Sequence, residues 1–197
     1  MTNYAPIPSI PLLDGTRIPW LGWGNGTGEA RADALRAGKL AIDAGIRHID
    51  TAQIYKTEEA TGQIVSGAPL PRDEIYVTSK RTSFVSLTNC SRKKSVGGKV
   101  PLDQVRQSIE SSVKKLGSIP DLFLIHNPSY YSPGELKALW QIFEALKDEG
   151  KLKSIGVSNS RVQDLEIILD GAKHKPVVNQ VVSIHRQALL VPTRLLF

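Results

Sequence analysis

The chain reads as an α/β protein: an incomplete TIM (β/α)8-type barrel of about six parallel strands, with an N-terminal β-hairpin as a cap. Three observations predict this. Short apolar runs alternate with amphipathic stretches of helical period, the order that gives a parallel sheet. Successive runs end in polar side chains, at Asp50, Lys80, His126, Ser158-Asn159 and Asn179-Gln180. Polar groups at the carboxyl ends of successive strands mark the active-site face of such a barrel. Finally, Asp14-Gly15 between short apolar runs at 8–19 is a hairpin signal, expected to plug one end of the barrel.

The first barrel strand is expected at 18–22, followed by a flexible loop at Gly24, Gly26 and Gly28. Residues 30–44 form a helix with Ala34, Ala37, Ala41 and Ala44 on one face and Leu40 beside them, stopped by Gly45. The second strand, 47–50, places Ile46, His48 and Asp50 on one face and Arg47, Ile49 and Thr51 on the other. A short helix at 58–65 and a third strand at 75–79 follow. Residues 81–101 have no clear period and carry Gly97-Gly98, so a flexible insertion loop is expected there. Beyond it, helix 103–116 buries Val105, Ile109, Val113 and Leu116, and strand four is 121–125. Ser132-Pro133-Gly134-Glu135 is a capping box that opens a helix burying Leu136, Leu139, Trp140, Phe143 and Leu146. Strand five is 154–158. Ser160 to Gln163 suggests another capping box, with Val162, Leu165 and Ile168 inward, and strand six is 176–182. Residues 183–197 read as an atypical tail with no room for two further strand–helix units.

Composition bounds the answer. At 197 residues, 41% hydrophobic and 22% charged, the chain fits one domain, a partial barrel over 1–197. No run approaches the length of a membrane span, and no signal peptide is visible. Cys90 is the only cysteine, so a reducing, cytoplasmic setting is expected. The net charge of +6 is concentrated around Arg92-Lys93-Lys94 and Lys99, where no aromatic residue interleaves, so a solvated loop is favoured over a nucleic-acid site. No metal site is expected.

Two patterns mislead. Gly22-Trp23-Gly24-Asn25-Gly26 has the wrong glycine spacing for a dinucleotide fingerprint. Tyr76 and Lys80 imitate a Tyr-x-x-x-Lys pair, which requires a helix, whereas this segment reads as strand.

Four groups are positioned to converge: Asp50, Tyr55, Lys80 and His126. Reducing a carbonyl takes a hydride and a proton. A phenol is a poor acid at neutral pH, and a nearby ammonium, Lys80, would favour its phenolate. Asp50 would hold Lys80, and His126 would orient the substrate oxygen or assist proton transfer. The hydride must come from a cofactor, because no side chain donates one. Each residue also has a bland reading: Asp50 a helix cap, Tyr55 a half-exposed aromatic, Lys80 a solvated strand end, His126 a structural histidine. Their conjunction on successive strand ends tells against all four at once.

These motifs resemble the aldo-keto reductase family. The segment from Gly45 to Tyr55 is similar to that family's signature around its catalytic aspartate and tyrosine. Val77-Thr78-Ser79-Lys80 resembles its lysine strand, and Asp121 to His126 its histidine strand. Gly156-Val157-Ser158-Asn159 and Val178-Asn179-Gln180-Val181 resemble the strands that hold the nicotinamide carboxamide. The resemblance implies an NADP(H)-dependent reductase of aldehydes and ketones, with Tyr55 as proton donor, Asp50 and Lys80 tuning it, and His126 orienting the substrate. It implies cofactor contacts from Asp50, Ser158, Asn159 and Gln180. His126-Asn127-Pro128 is similar to fungal-type members, whereas Ser160 and the text after Val181 depart from the family pattern.

The last two strands of such a barrel are not found, so the sequence reads as C-terminally truncated. The product as written is expected to bind cofactor weakly, to turn over little and to self-associate through its open edges. The competing reading is an inactive fragment that acts at most as a protein-binding module. No membrane partner is expected.

Overall fold

The computed structural model describes residues 7–81 and 101–181. The insertion expected at 81–101 and the tail at 183–197 thus fall almost wholly outside the described residues. The chain opens with an antiparallel hairpin, β1 (Ser9–Pro11) against β2 (Arg17–Pro19). The Asp14 carboxylate builds its turn by accepting from the Thr16 backbone N–H at 3.2 Å and the Thr16 hydroxyl at 2.6 Å. Gly15 takes φ +81°, a conformation that costs glycine little and an L side chain more.

The other strands are β3 (Trp23–Gly24), β4 (His48–Asp50), β5 (Tyr76–Arg81), β6 (Leu122–Ile125), β7 (Ser154–Ser158) and β8 (Asn179–Gln180). They form one six-stranded parallel sheet in chain order. The sheet curls strongly. Gln180 Nε2 on β8 donates to Asp50 Oδ2 on β4 at 2.8 Å, across three intervening strands. The helices are α1 (Gly28–Ala32), α2 (Ala34–Asp43), α3 (Glu58–Gly67), α4 (Val105–Leu116), α5 (Pro133–Asp148) and α6 (Val162–Leu169).

Alternation along each strand makes two layers. Outward residues Ile49 and Val77 meet Ile42, Ile64 and Val65 from α2 and α3. Outward Phe123, Ile125, Ile155 and Val157 meet a larger core in which Trp140 and Phe143 of α5 stack with ring centroids 6.1 Å apart. Each such fully buried side chain contributes about 1.5–3 kcal/mol of transfer free energy. Inside the curl, Leu122 and Leu124 pack on Leu12 of the hairpin and on Val177, closing the floor.

Several expectations shift in detail. The barrel begins at Trp23, not at 18–22, because Ile18 and Pro19 pair with the hairpin and the Trp20 N–H continues that ladder to the Pro8 carbonyl at 2.8 Å. The single helix expected at 30–44 is broken at Asp33, whose side chain caps α2 by accepting the Arg36 N–H at 3.2 Å. The buried stripe of α2 is Ala34, Gly38, Ala41 and Ile42, while Leu40 is 56% exposed. Gly38 belongs to that stripe because a Cβ there would lie 2.2 Å from Ile64 Cδ1. On α4 the inward position is Ser112 rather than Val113, and its hydroxyl accepts from Gln53 Nε2 at 2.8 Å. The cap of α6 sits one residue later than expected: Asp164 accepts the Arg161 N–H at 2.9 Å, the Ser160 N–H having gone to Asn179. Val162 is consequently 67% exposed. The last strand is short, Asn179–Gln180, and the Val177 N–H and Val178 carbonyl extend its bonding to β7.

Candidate active site

The carboxyl ends of β4 to β8 open on one side of the sheet, and the strand-ending polar residues meet there. Asp50 and Lys80 point into the curl from adjacent parallel strands. Lys80 Nζ donates to Asp50 Oδ1 and, at 3.1 Å, to the Thr51 carbonyl. The lysine side chain is only 2% exposed and the aspartate 15%, so this is a buried ion pair. The other Asp50 oxygen takes the Gln180 amide.

Tyr55 ends a 3-10 turn, Gln53–Tyr55, that leaves β4. Lys80 Nζ lies 5.3 Å from its ring centroid. His126, just past β6, presents its ring at 88° to the Tyr55 ring with centroids 5.7 Å apart. Asn159 has φ +55°, which turns its side chain back over β7: Nδ2 donates to the His126 carbonyl at 3.0 Å and to Ser158 Oγ at 3.1 Å. Ser158 Oγ in turn donates to the Gln180 carbonyl at 2.8 Å. All seven residues singled out in the sequence therefore share one mouth.

Electrostatics depart from the simple expectation for the phenol. Burial and the Asp50 carboxylate push the Tyr55 hydroxyl above the usual phenol range, with Arg31 acting against them. Lys80, held by Asp50, does not bring it below that range. Burial lowers the Lys80 ammonium, and the ion pair with Asp50 opposes that. Burial, reinforced by Lys80, lowers His126 to about 4, so its imidazole is neutral at neutral pH. The site at rest is thus a protonated phenol beside a neutral imidazole, above a matched ion pair.

Comparison with known proteins decides the lineage. Residues 20–185 match the model of the Aldo/keto reductase family. The chain belongs to that family. It is 36% identical over 203 residues to "Aldo-keto reductase family 1 member C18" of Rattus norvegicus, covering 90% of this chain and 58% of the relative. To the "Prostaglandin-E(2) 9-reductase" of Oryctolagus cuniculus it is 36% identical over 198 residues, covering 87% and 57%. Among solved structures, an aldo-keto reductase of Bombyx mori in complex with NADP matches with a TM-score of 0.74 at 31% identity, covering 90% of this chain and 59% of that one. The chain thus spans somewhat under three fifths of the length of these aldo-keto reductases.

The mouth also contains residues that sequence reasoning passed over. Asn25 is fully buried in the loop after β3. Its N–H donates to the Asp50 carbonyl at 3.1 Å, its Nδ2 to Thr61 Oγ1 at 2.9 Å, and its Oδ1 accepts from Thr57 Oγ1 at 2.7 Å. Thr51 Oγ1 joins Thr57 Oγ1 at 3.0 Å. Gly26 lies against the Tyr55 ring: a Cβ there would be 2.8–3.1 Å from three carbons at its hydroxyl end. Arg31 of α1 reaches the backbone of the Tyr55 turn. The available signal was the Gly24-Asn25-Gly26 text itself, which reads as loop unless the tyrosine it supports is already placed.

Proposed function

We propose that this mouth serves the NADP(H)-dependent reduction of aldehydes and ketones to alcohols, with Tyr55 as the proton donor. The observation that carries the reading is the buried Lys80–Asp50 pair beneath Tyr55, with the His126 ring edge-on to the phenol.

The residues present suit a nicotinamide. Its primary carboxamide needs an acceptor for its NH2 and a donor for its C=O. Asn159 and Gln180 each carry both kinds of atom, and Ser158 adds a hydroxyl. Held in place by Asp50, Ser158 and the His126 carbonyl, Gln180 and Asn159 form a side-chain rim that would seat that group. When bound, the reduced nicotinamide supplies the hydride.

The chain's own residues do the rest. The Tyr55 hydroxyl donates a hydrogen bond to the carbonyl oxygen and gives up its proton as negative charge develops on that oxygen. An alkoxide is a stronger base than a phenolate, so the transfer runs downhill. The raised phenol range keeps the donor loaded at neutral pH, which is the state reduction requires. Neutral His126 offers an N–H to the same oxygen and fixes the approach of the substrate. Lys80 and Asp50 form an ion pair beneath the phenol, with the ammonium 5.3 Å from the ring centroid.

The test is Tyr55→Phe, assayed by NADPH consumption with a reactive aldehyde such as 4-nitrobenzaldehyde. Turnover should fall by about 10²–10⁴-fold while cofactor binding, read by NADPH fluorescence, stays nearly intact. Retention of more than half the rate would remove Tyr55 from the role of proton donor.

A further inference from the structure

We propose that Arg31, on α1, is a positioning residue for Tyr55: it clamps the turn that carries the phenol by its two backbone carbonyls. The inference rests on the reading of Tyr55 as proton donor and extends it to a residue on a separate element, more than twenty positions earlier in the chain.

Geometry carries it. Arg31 Nε donates to the Tyr55 carbonyl at 3.1 Å and Nη2 to the Ile54 carbonyl at 3.2 Å. Two parallel donors on a planar guanidinium fix direction as well as distance, which a lysine cannot do. They are needed here because the turn ends abruptly. Lys56 lies in the left-handed region at φ +59°, so the carbonyls before it turn out of any helical ladder. The same segment presses Gly26 against the phenol ring, so the Arg31 loop holds Tyr55 by its backbone on one side and by its ring on the other.

Charge adds a second role. The groups facing Tyr55 are Asp50 on β4, Lys80 on β5, His126 after β6 and Arg31 on α1. Asp50 acts upward on the phenol although it is paired with Lys80, and His126 is neutral. Arg31 is a cation whose charge acts downward on the phenol, against burial and the Asp50 carboxylate. Its hydrogen bonds go to neutral carbonyls, which leaves that charge unmatched by those contacts.

The experiment uses the whole protein with ring-labelled tyrosine, the Tyr55 resonance being assigned by its loss in Tyr55→Phe. Arg31 is exposed, so Arg31→Met should fold normally. In Arg31→Met the Tyr55 titration should move up, because the cation that acts downward on it is gone. In Arg31→Lys it should stay near the parent value, since the charge remains. In turnover both variants should lose kcat by about tenfold with KM little changed, because both lose the two-carbonyl clamp. A Tyr55 resonance that titrates identically in the parent and in Arg31→Met would overturn the electrostatic role. An unchanged kcat in both variants would overturn the clamp. The titration needs no turnover, so an inactive parent, or an active Tyr55→Phe, would count against the reductase reading and not against Arg31.

Discussion

Asp50 at the mouth and Asp121 at the floor are both carboxylates beside strands of one sheet, and each meets a lysine. Their surroundings differ. Asp121 accepts from Arg72 Nη1 at 2.9 Å, from the Val77 N–H at 2.9 Å and from Lys153 Nζ at 2.7 Å. Arg72 in turn binds the carbonyls of Ile75 and Ile119 and the Ser118 hydroxyl. Every partner at the floor thus ties one stretch of chain to another. Asp50 instead takes two side chains, Lys80 and Gln180, that line the opening. The same functional group works as a rivet at one end and lines an opening at the other. What separates the two is whether its partners face backbone or face the cavity.

The sharpest way to break this contrast is Lys80→Met. It strands a largely buried carboxylate, so it should cost about 3 kcal/mol in urea unfolding and about 10²–10⁴-fold in carbonyl reduction. Loss of stability with the rate preserved would make the mouth a second floor. Next in size is Asp121→Ala, which removes three hydrogen bonds at the floor. It should lower stability by about 2–3 kcal/mol and leave kcat within about twofold of the parent, a split read from unfolding and steady-state assays on the same preparations.

The smallest effect is a slope in pH, and it sharpens the comparison inside the curl itself. His48 lies below Asp50, its Nε2 2.8 Å from Thr78 Oγ1, and burial lowers it to about 4, as it does His126. Both are neutral when folded and titrate near their ordinary value when unfolded. As pH falls from about 6.5 towards about 4, the unfolded chain binds protons that the folded chain refuses, so stability falls; above that window these two groups contribute no slope. Each contributes up to about 1.4 kcal/mol per pH unit. Urea midpoints between about pH 7 and pH 5 should show a drop that His48→Asn roughly halves. An identical slope in that variant would mean that His48 titrates normally in the fold.

Much of this was legible in the sequence. Alternation and strand-ending polar residues placed β4 to β8, and the run from Gly45 to Tyr55 located the mouth. Leu136 to Leu146 read directly as the buried face of α5 because a long helix averages over many positions. The first barrel strand did not read, since Ile18 is apolar whether it faces a hairpin partner or a barrel neighbour. Leu40 read as flanking the alanine face and is exposed, because the stripe of α2 is set by how closely Gly38 lets Ile64 approach, which composition does not reveal. The phenol's shift was missed for a related reason. A lysine near a tyrosine lowers its range only where nothing outweighs it, and here burial and the Asp50 carboxylate do.

Asn25 carries one more consequence. Its amide and backbone bind Asp50, Thr57 and Thr61 at once, so the loop before α1 and the loop before α3 share a single hub. Displacing either loop displaces the other. The arm that bears Arg31 and the arm that bears Tyr55 are, in mechanical terms, one lever with Asn25 as its pivot.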